Sequence, residues 1–522
     1  MDYLKEYQKW LDSGVLTAEE HAELEAIKDD PKEIEGRFYG PLEFGTAGLR
    51  GTMAMGLHHM NIYVVRHATQ GFANVICAEG EKAKERGVAI AMDCRLHGME
   101  FARAAAEVCA AAGIKVRIFD ALRPTPELSF AVRHYGCQAG INVTASHNPK
   151  EYNGYKVYWE DGAQLPPQHA AAIARELEKI DIFTGVKTMP YDEAVKAGLI
   201  TVIGEETDEA FLKEVMAMTV DANAIPAVAD SFKLVYTPFH GCGHKLVPEA
   251  LKRAGVKHLL CEPQQMVIDG NFPTVKSPNP ENPEGFYLAI DLAKANDVDF
   301  ILGTDPDSDR VGIMVRDKDG EYKVMTGNQT FIAEKKNALE ESGEGKVVFS
   351  YEESYGYMLG DFVRDKDAVT ASLLLMEMAA YYYAKGMTVL DAYQALCEKH
   401  GFYGEKTHNL VMPGLDGLAD MAKLMKGLRE APPAEIAGVK VLQFKDYADG
   451  SVVECATGAK STMELSGSNV LRFELEDGTS VIVRPSGTEP KIKVYVLTRG
   501  ADPTGRDANI RKYGEWVDTL KK

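Results

Sequence analysis

The alternation of short apolar strands with helical segments is the feature that most constrains the fold of this chain. Between Val88 and Ser146 three strand-like segments, VAIAMD, IKVRIFD and AGINVTAS, are separated by two helix-like segments. These helix-like segments end at Gly113 and Gly136, and the second begins near a proline. Strands that alternate with helices of this kind are typical of a parallel sheet with crossover helices.

The same alternation returns further along the chain. After about residue 230 come the strands KLVYT, VKHLLCE and FILGT, and a shorter version follows with the strand KVVFS and an alanine-rich helix. From about residue 410 the pattern changes to strands joined by an Asp-Gly turn and followed by a C-terminal helix. We therefore predict three α/β domains with mixed sheets and a smaller C-terminal α+β domain. The predicted boundaries are 1–206, 207–322, 323–408 and 409–522.

Length, composition and charge exclude several classes of protein. A chain of 522 residues is too long for one ordinary core, and no apolar stretch is long enough to span a membrane. The net charge of −20 disfavours nucleic acid and membrane surfaces as partners. The eight cysteines are scattered without a C-x-x-C pair, and the polar N-terminus is typical of neither a signal peptide nor a transit peptide. These features predict a cytoplasmic protein without a disulfide framework or a zinc site.

Ser146 lies at the end of a predicted strand, in the segment TASHNPKEYNGYK. The dipeptides Asn-Pro and Asn-Gly favour turns, so we expect the chain to fold back and bring Lys156 toward Ser146. A serine hydroxyl is a weak nucleophile that needs a nearby base, and His147 is its neighbour. Taken alone, the segment is also consistent with a turn that only closes a β–α junction.

Three aspartates alternate in the loop ILGTDPDSDRVG, directly after an apolar strand. The carboxylates of Asp305, Asp307 and Asp309 can converge on one cation, and three hard oxygen ligands suit Mg²⁺ or Ca²⁺ better than zinc. An EF-hand is excluded because Arg310 and Arg316 occupy the positions that need glycine and glutamate. A phosphatase with an aspartyl nucleophile and a solvated acidic turn are the alternatives for this loop.

Three further loops have groups that suit a sugar phosphate. In SYEESYG an acceptor, Glu352, stands two residues from a donor, Ser354, as a pair of sugar hydroxyls requires, although a solvated turn is an alternative. The loop RPSGTEPKIK combines a guanidinium, two hydroxyls and a glycine, which suits phosphate, and a tight hairpin loop is the alternative. Its residues are Arg484, Ser486, Gly487 and Thr488. Arg50 lies between glycines in FGTAGLRG, a second candidate anion loop. Together the loops indicate phosphoryl transfer on a sugar.

The segments TASHNP, GTDPDSDR, EESYG and RPSGTEPKIK resemble the four active-site loops of the α-D-phosphohexomutase superfamily, in the same order. The resemblance covers nearly the whole chain. The segments EESYG, FGTAGLRG and FVRDKDAV are most similar to the branch that contains bacterial α-phosphoglucomutases and animal phosphopentomutases. This resemblance implies domains arranged around a central cleft.

The resemblance also implies a role for each candidate residue. Ser146 would be the phosphoserine, which gives its phosphoryl group to a sugar monophosphate and regains one from the resulting sugar 1,6-bisphosphate. Mg²⁺ would be held by Asp305, Asp307, Asp309 and an oxygen of the phosphorylated Ser146. Proton transfer would involve His147 and Lys156, and the transferring phosphoryl group would be flanked by Arg50 and Arg310. The sugar hydroxyls would bind Glu352 and Ser354, and the other phosphate would bind Lys366, Arg484, Ser486, Gly487 and Thr488.

The chain departs from this family near Thr330. In relatives of this branch TGNQTG leads into a helix, a strand and a Thr-Gly-Phe-Lys loop before FI, whereas here TGNQT meets FIAEKKN directly. Roughly fifty residues are absent, which leaves one clear strand in the third domain, and a lone strand cannot form a sheet. Either the third domain is a reduced form or a segment is missing from this chain. The absent loop would normally help to shape the sugar site.

These observations predict a mutase that interconverts glucose 1-phosphate and glucose 6-phosphate, with Mg²⁺ as cofactor and a sugar 1,6-bisphosphate as intermediate and activator. The alternatives are a phosphopentomutase, a phosphomannomutase, a bisphosphate synthase and a scaffold that has lost activity. The predicted partners are small sugar phosphates, and the chain is expected to be a monomer or a homodimer.

Overall fold

The computed structural model describes residues 2–46, 48–325, 349–352, 354–412, 417–486 and 491–520. The chain divides into two units, Met1–Leu390 and Asp391–Lys522. The finer division into four domains with the boundaries given above stays a prediction. The departure near Thr330 lies outside the described residues.

Three helices precede the first strand. They are α1 (Tyr3–Leu11), α2 (Ala18–Glu25) and α3 (Pro31–Phe38). Asp30 is the N-cap of α3 and its side chain accepts two backbone N–H bonds, with Pro31 at the first helical position. Phe38 of this helix packs edge-on against the buried Trp10, with ring centroids 5.7 Å apart, so that all three helices join the core.

The first sheet has a parallel centre and an antiparallel edge. Its strands are β1 (Leu49–Thr52), β2 (Val88–Met92), β3 (Val116–Phe119), β4 (Ala139–Val143), β5 (Tyr152–Trp159) and β6 (Ile200–Ile203). The strand order is β1-β5-β4-β2-β3-β6. The parallel pairs are β2 with β3, β2 with β4 and β3 with β6, as the alternation predicts, whereas β5 and β1 run antiparallel at one edge. The helices around this sheet are α4 (Ile62–Ala78), α5 (Glu81–Arg86), α6 (Gly98–Ala111), α7 (Thr125–His134), α8 (Pro167–Leu177) and α9 (Tyr191–Lys196).

The dipeptide Asn153-Gly154 lies inside β5, so the prediction that it forms a turn is wrong. A Cβ atom on Gly154 would lie 2.4 Å from the carbonyl oxygen of Thr144 and 2.9 Å from that of Leu49. Glycine is needed there because the backbones of neighbouring chain segments approach closely. Lys156 returns toward the serine loop because β5 pairs antiparallel with β4, opposite Asn142.

The second sheet repeats this plan. It contains β7 (Lys233–Thr237), β8 (His258–Cys261), β9 (Phe300–Thr304), β10 (Val311–Arg316) and β11 (Tyr322–Met325). The order is β11-β10-β9-β7-β8, in which β8, β7 and β9 are parallel and β10 and β11 antiparallel. Its helices are α10 (Glu205–Ala217), α11 (Ala224–Val228), α12 (Gly243–Arg253) and α13 (Tyr287–Asn296), the last preceded by a 3₁₀ turn at Pro283–Phe286.

A hairpin follows in the first unit, where the sequence pattern predicts a single strand. Strands β12 (Phe349–Glu352) and β13 (Gly356–Leu359) pair antiparallel and form a two-stranded sheet, so the expectation of a lone strand is wrong. Helix α14 (Ala368–Tyr383) comes next, and α15 (Val389–His400) spans the division between the two units.

In the second unit the structure describes an antiparallel sheet and further helices that follow α15, as predicted for an α+β domain. Its strands are β14 (Phe402–Val411), β15 (Glu435–Ile436), β16 (Val439–Asp446), β17 (Ser451–Glu454), β18 (Ala459–Thr462), β19 (Leu471–Leu475), β20 (Ser480–Pro485) and β21 (Lys491–Gly500). The order is β14-β21-β20-β19-β16-β17-β18, with β15 beside β16. The helices are α16 (Gly417–Glu430) and α17 (Pro503–Thr519). None of the helices that the structure describes, in either unit, has the length and apolar character needed to cross a membrane.

Candidate active site

Ser146 lies just beyond the carboxyl end of β4, where parallel strands of α/β sheets place their functional loops. Its side chain is buried, and Oγ donates a hydrogen bond to Oδ2 of Asp305 at 3.1 Å. Oγ also lies 3.1 Å from Nδ1 of His147. The structure thus brings the serine loop and the acidic loop into direct contact, although the two residues are far apart in the sequence.

Asp305, Asp307 and Asp309 follow the buried strand β9 and are themselves buried. One carboxylate oxygen from each lies within 4.8 Å of the others. Backbone N–H groups of Asp309 and Arg310 donate to Oδ1 of Asp305 at 3.1 and 3.0 Å, and this fixes the loop that turns back into β10. The predicted convergence of the three carboxylates is present.

The three carboxylates of the acidic cluster fit a divalent cation. Among the described residues, Oδ1 of Asp307 and Oδ1 of Asp309 are buried without a hydrogen-bond partner. Buried carboxylate oxygens without partners are costly unless a cation or a donor compensates them. Three carboxylates form the hard oxygen set that suits Mg²⁺, and the hydroxyl of Ser146 adjoins it.

Two lysines lie against the acidic cluster. Nζ of Lys156 is 2.8 Å from Oδ2 of Asp307 and 3.7 Å from Oδ2 of Asp309. Nζ of Lys366 is 3.2 Å from Oδ2 of Asp309 and 3.0 Å from Oδ1 of Asp365. Lys366, which the family resemblance assigns to a substrate phosphate, therefore lies beside the aspartates in this structure.

Burial and charge set the protonation of the cluster. Burial and the neighbouring charges of Asp309 and Asp307 raise the pKa of Asp305 well above its ordinary value. Burial also raises the pKa of Asp307, but the charge of Lys156 and the hydrogen bonds from Lys156 and Thr125 together outweigh burial, so the pKa lies below the ordinary value. Burial lowers the pKa of Lys156, yet Asp307 and Asp309 more than offset this and raise it. Lys156 is therefore an ammonium at neutral pH.

His147 has the opposite surroundings. Burial, followed by the positive charges of Arg310 and Arg50, lowers its pKa well below the ordinary value. The imidazole is therefore neutral at neutral pH and can accept a proton. Nδ1, the ring atom that faces Ser146, is the atom placed to do so.

The two candidate arginines approach the serine and acidic loops from different elements. Arg50 belongs to β1, opposite Gly154 of β5, and its Nη1 donates to Oδ1 of Asn148 at 3.2 Å. Arg310 ends the acidic loop, and its Nη1 donates to the carbonyl of Ser354 at 3.0 Å. Both guanidinium groups thus contact loops that contain other predicted site residues.

The hairpin of β12 and β13 brings the predicted sugar-binding residues to the acidic loop. The carbonyl of Tyr355 accepts the backbone N–H of Val311 at 3.0 Å. Oε1 of Glu352 is 3.5 Å from Nη2 of Arg310, and Ser354 is buried beside it. Glu352, Ser354 and Lys366 therefore share one site with the aspartates.

The predicted phosphate loop belongs to the second unit. Arg484 is exposed in β20 opposite Lys493 of β21, and the backbone N–H of Ser486 donates to the carbonyl of Lys491 at 2.8 Å. Gly487 and Thr488 lie outside the described residues. Their assignment to phosphate stays a prediction.

Sequence reasoning missed several residues that contact the site, among them Thr125 and Arg95. Thr125, the first residue of α7, donates through Oγ1 to Oδ2 of Asp307 at 2.8 Å and accepts from Nδ2 of Asn142 at 2.7 Å. Arg95 is buried against the backbone of the serine loop. Arg95 follows the predicted strand VAIAMD by two residues, and this position is the sequence signal for it. For Thr125 the sequence signal is its position at the start of a helix.

The chain is similar to known proteins of one family. The phosphoglucomutase/phosphomannomutase models for alpha/beta/alpha domains I, II and III match residues 41–182, 209–320 and 287–400, and that for the C-terminal domain matches 418–503. The phosphoglucomutase of Staphylococcus epidermidis ATCC 12228 is 32% identical over 504 residues, which cover 87% of this chain and 90% of that protein. The phosphoglucomutase of Staphylococcus aureus MRSA252 is 31% identical over 530 residues, or 91% and 92% of the two chains.

Solved structures agree on the fold. A phosphoglucomutase/phosphomannomutase family protein from Burkholderia thailandensis superposes with a TM-score of 0.60 at 19% identity, over 92% of this chain and 97% of that chain. The open form of pp63/parafusin, a phosphoglucomutase from Paramecium, has a TM-score of 0.64 at 17% identity, over 92% and 95%. The chain belongs to the phosphoglucomutase/phosphomannomutase family, which confirms the resemblance to the α-D-phosphohexomutases and makes it a mutase, that is, an isomerase.

Proposed function

We propose that this protein interconverts glucose 1-phosphate and glucose 6-phosphate by phosphoryl transfer through Ser146. The observation that supports this most directly is the hydrogen bond from the buried Ser146 hydroxyl to Asp305, one of the three clustered aspartates. The relatives at 31–32% identity that match most of the chain are named phosphoglucomutases, which favours glucose as the sugar.

We propose that Asp305, Asp307 and Asp309 hold Mg²⁺. When bound, this ion would neutralise charge on the phosphoryl group, as metal ions do in phosphoryl transfer generally. The side chains of Lys156, Arg50 and Arg310 would add fixed positive charge around the same group. Such charges act strongly in a buried site because little water screens them.

In the first half-reaction the bond between phosphorus and Oγ of phosphorylated Ser146 breaks, and a bond to a sugar hydroxyl oxygen forms. The hydroxyl proton passes to a base, and the neutral Nδ1 of His147 is our candidate, since Lys156 is already protonated. The base passes this proton on to Oγ of Ser146 as that oxygen leaves, so the products are a sugar 1,6-bisphosphate and the free Ser146 hydroxyl. In the second half-reaction the other phosphoryl group passes to Oγ of Ser146, while the base takes the Ser146 proton and gives it to the sugar oxygen that leaves. This restores the phosphoenzyme and releases the isomeric monophosphate.

We further propose that Glu352 and Ser354 bind sugar hydroxyls. The hairpin that contains them is joined to the acidic loop and the start of β10 by the backbone bond from Val311 to Tyr355 and by the Arg310 side chain, so a sugar bound there would lie beside the phosphoryl group. In the second unit, Arg484, Ser486, Gly487 and Thr488 are proposed to bind a substrate phosphate, supported by the exposed guanidinium of Arg484. The cytoplasmic location and the monomeric or dimeric state remain proposals as well.

Turnover of glucose 1-phosphate and ribose 1-phosphate, measured side by side with Mg²⁺ and glucose 1,6-bisphosphate, tests the function. We expect faster turnover of the glucose ester. The Ser146→Ala variant should lose activity by at least about 10³-fold, since the covalent route needs its hydroxyl. Ser231→Ala is the matched control, because the Ser231 hydroxyl donates to the carbonyl of Val228 at the end of α11, away from the serine and acidic loops.

Each result has a distinct meaning. Faster turnover of ribose 1-phosphate would contradict the choice of glucose while leaving the mutase mechanism intact. Residual turnover of a few per cent or more in Ser146→Ala would exclude the phosphoserine route.

A further inference from the structure

The backbone of Ser146 has an unusual conformation. Its φ angle is +53°, in the left-handed region that residues with a side chain rarely adopt. A residue in this region keeps that conformation only where surrounding groups hold it. Hydrogen bonds to the backbone N–H and to the carbonyl of Ser146 hold it in this conformation.

One contact is made by the N–H group of Ser146. It donates to Oγ1 of Thr144 at 2.9 Å, and the Thr144 hydroxyl donates in turn to Oδ2 of Asp93 at 2.6 Å. All three residues are buried. A carboxylate at the end of β2 therefore fixes the direction of the Thr144 hydroxyl, and this hydroxyl fixes the Ser146 amide.

The other contact is made by the carbonyl of Ser146. Nη2 of Arg95 donates to this oxygen at 2.7 Å and to that of Asn148 at 2.5 Å. Nη1 of Arg95 donates to the carbonyls of Pro149 and Tyr152, each at 2.8 Å. Both terminal nitrogens of the guanidinium are thus used on the serine loop, which a flexible ammonium with a single nitrogen could not reproduce.

The two contacts are linked. Nε of Arg95 lies 3.3 Å from Oδ2 of Asp93, and neither side chain is accessible to solvent. The ring of Phe272 covers the guanidinium at 5.3 Å, and a Cβ atom on Gly270 would lie 2.6 Å from the carbonyl oxygen of Cys94. The Asp93–Arg95 pair therefore holds both sides of the Ser146 backbone and is itself enclosed.

We propose that Asp93, Thr144 and Arg95 are positioning residues that hold Ser146 in its left-handed conformation and thereby aim its hydroxyl at the acidic cluster. This inference rests on the proposed function, because it assigns these residues to phosphoryl transfer at Ser146. None of the three is proposed to touch the reacting atoms.

The test compares Arg95→Lys, Thr144→Val and Thr144→Ser in the full-length protein. Kinetic constants for glucose 1-phosphate and the rate at which glucose 1,6-bisphosphate phosphorylates Ser146, followed by intact mass, are measured for each. Arg95→Lys keeps the charge opposite Asp93 but loses the planar fork, and Thr144→Val keeps the shape but loses the hydroxyl. The control is Arg86→Lys, because Arg86 also donates to two carbonyls, those of Gly136 and Cys137, away from the site.

We expect kcat and the rate of Ser146 phosphorylation to fall by on the order of 10²-fold in Arg95→Lys and Thr144→Val, as small misplacements of a reacting group do. KM should change by less than about three-fold, since substrate contacts are kept. Thr144→Ser should regain most of the rate lost in Thr144→Val, and Arg86→Lys should have wild-type rates. Near-ultraviolet circular dichroism checks that each variant is folded.

Wild-type kcat in folded Arg95→Lys and Thr144→Val, together with an inactive Ser146→Ala, would overturn this inference and leave the proposed function standing. A rise in KM with unchanged kcat would also overturn it, because substrate binding rather than the aim of Ser146 would then depend on the network. An active Ser146→Ala variant would instead contradict the proposed function itself.

Discussion

At the scale of residues, the buried acidic cluster is balanced by cations from separate elements. Oδ2 of Asp307 accepts hydrogen bonds from Lys156 of β5 and from the hydroxyl of Thr125 in α7. Its Oδ1 atom has no hydrogen-bond partner among the described residues. Lys366 lies on Asp309 from the segment before α14. The carboxylates can therefore stay close together in a buried position where mutual repulsion would otherwise be large.

Replacing Asp307 by asparagine should weaken Mg²⁺ binding by about ten-fold or more, because even changes beyond the direct ligands of a metal cost 10- to 100-fold. Isothermal titration calorimetry with Mg²⁺ measures this without relying on activity. Asp317→Asn is the control, since Asp317 lies in the turn between β10 and β11, beside Lys323. An unchanged dissociation constant in Asp307→Asn would contradict the assignment of the acidic cluster to the metal.

At the scale of elements, helix α14 begins at an unusual cap. The carboxylate of Asp367 accepts the backbone N–H groups of Val369 and Thr370, as an N-cap residue does, but it is completely buried. Burial raises its pKa to about 6, although the hydrogen bonds of the cap act in the opposite direction. The folded state therefore favours the neutral carboxyl more than the unfolded state does.

The stability of the Asp367→Asn variant relative to wild type should consequently rise with pH. When the pKa of an acid is higher in the folded than in the unfolded state, the protein loses stability as the pH rises from the unfolded pKa to the folded pKa. Above the folded pKa the lost free energy of unfolding stays constant. Asparagine keeps an acceptor oxygen and never ionises. Between about pH 5 and pH 7.5 the variant should gain roughly 1 kcal/mol on wild type.

Urea unfolding at the two pH values measures the difference. Asp449→Asn is the control because Asp449 is exposed in the turn before β17, where it caps the N–H of Ser451. A stability difference between Asp367→Asn and wild type that did not change with pH would show that the pKa of Asp367 is not raised in the folded state.

Elements whose signal is local were predictable from the sequence. Apolar runs bounded by turn or polar residues predict five strands where the structure has them: β2, β3, β4, β7 and β9. They were predictable because the burial of such a strand depends on residues that are neighbours in the sequence. The hairpin of β12 and β13 and the placement of Asn153-Gly154 within a strand were not predictable. Both features depend on which strand pairs with the segment in the folded sheet, and such pairing can override the turn propensity of the residues.

At the scale of the whole molecule, the two units have separate cores. Trp10 is fully buried in one core cluster of the first unit, among residues that include Phe38 and Phe72. Phe473 is fully buried in the core of the second, with Val494 and Tyr513. Separate cores can unfold separately, because each cooperative transition depends on its own packing.

Calorimetric unfolding should therefore show more than one transition. Trp10→Ala and Phe473→Ala should each lower a different one, by on the order of 10 °C, since truncating a buried aromatic side chain costs about 3–5 kcal/mol. Val220→Ala and Leu465→Ala are matched exposed controls, one in each unit, and should leave both transitions in place. A single transition lowered equally by both core variants would show that the units unfold together.

The sequence by itself determined the α/β class, the family, and the loops that contain Ser146, the three aspartates and Glu352, because each follows or joins recognisable strands. Tertiary structure decided which groups meet there. Lys366 reaches Asp309, and Arg95 reaches the carbonyl of Ser146, only because strand order and register bring distant segments to the same ends of the sheets. Local sequence acts over a few residues, whereas such contacts depend on the packing of the whole unit.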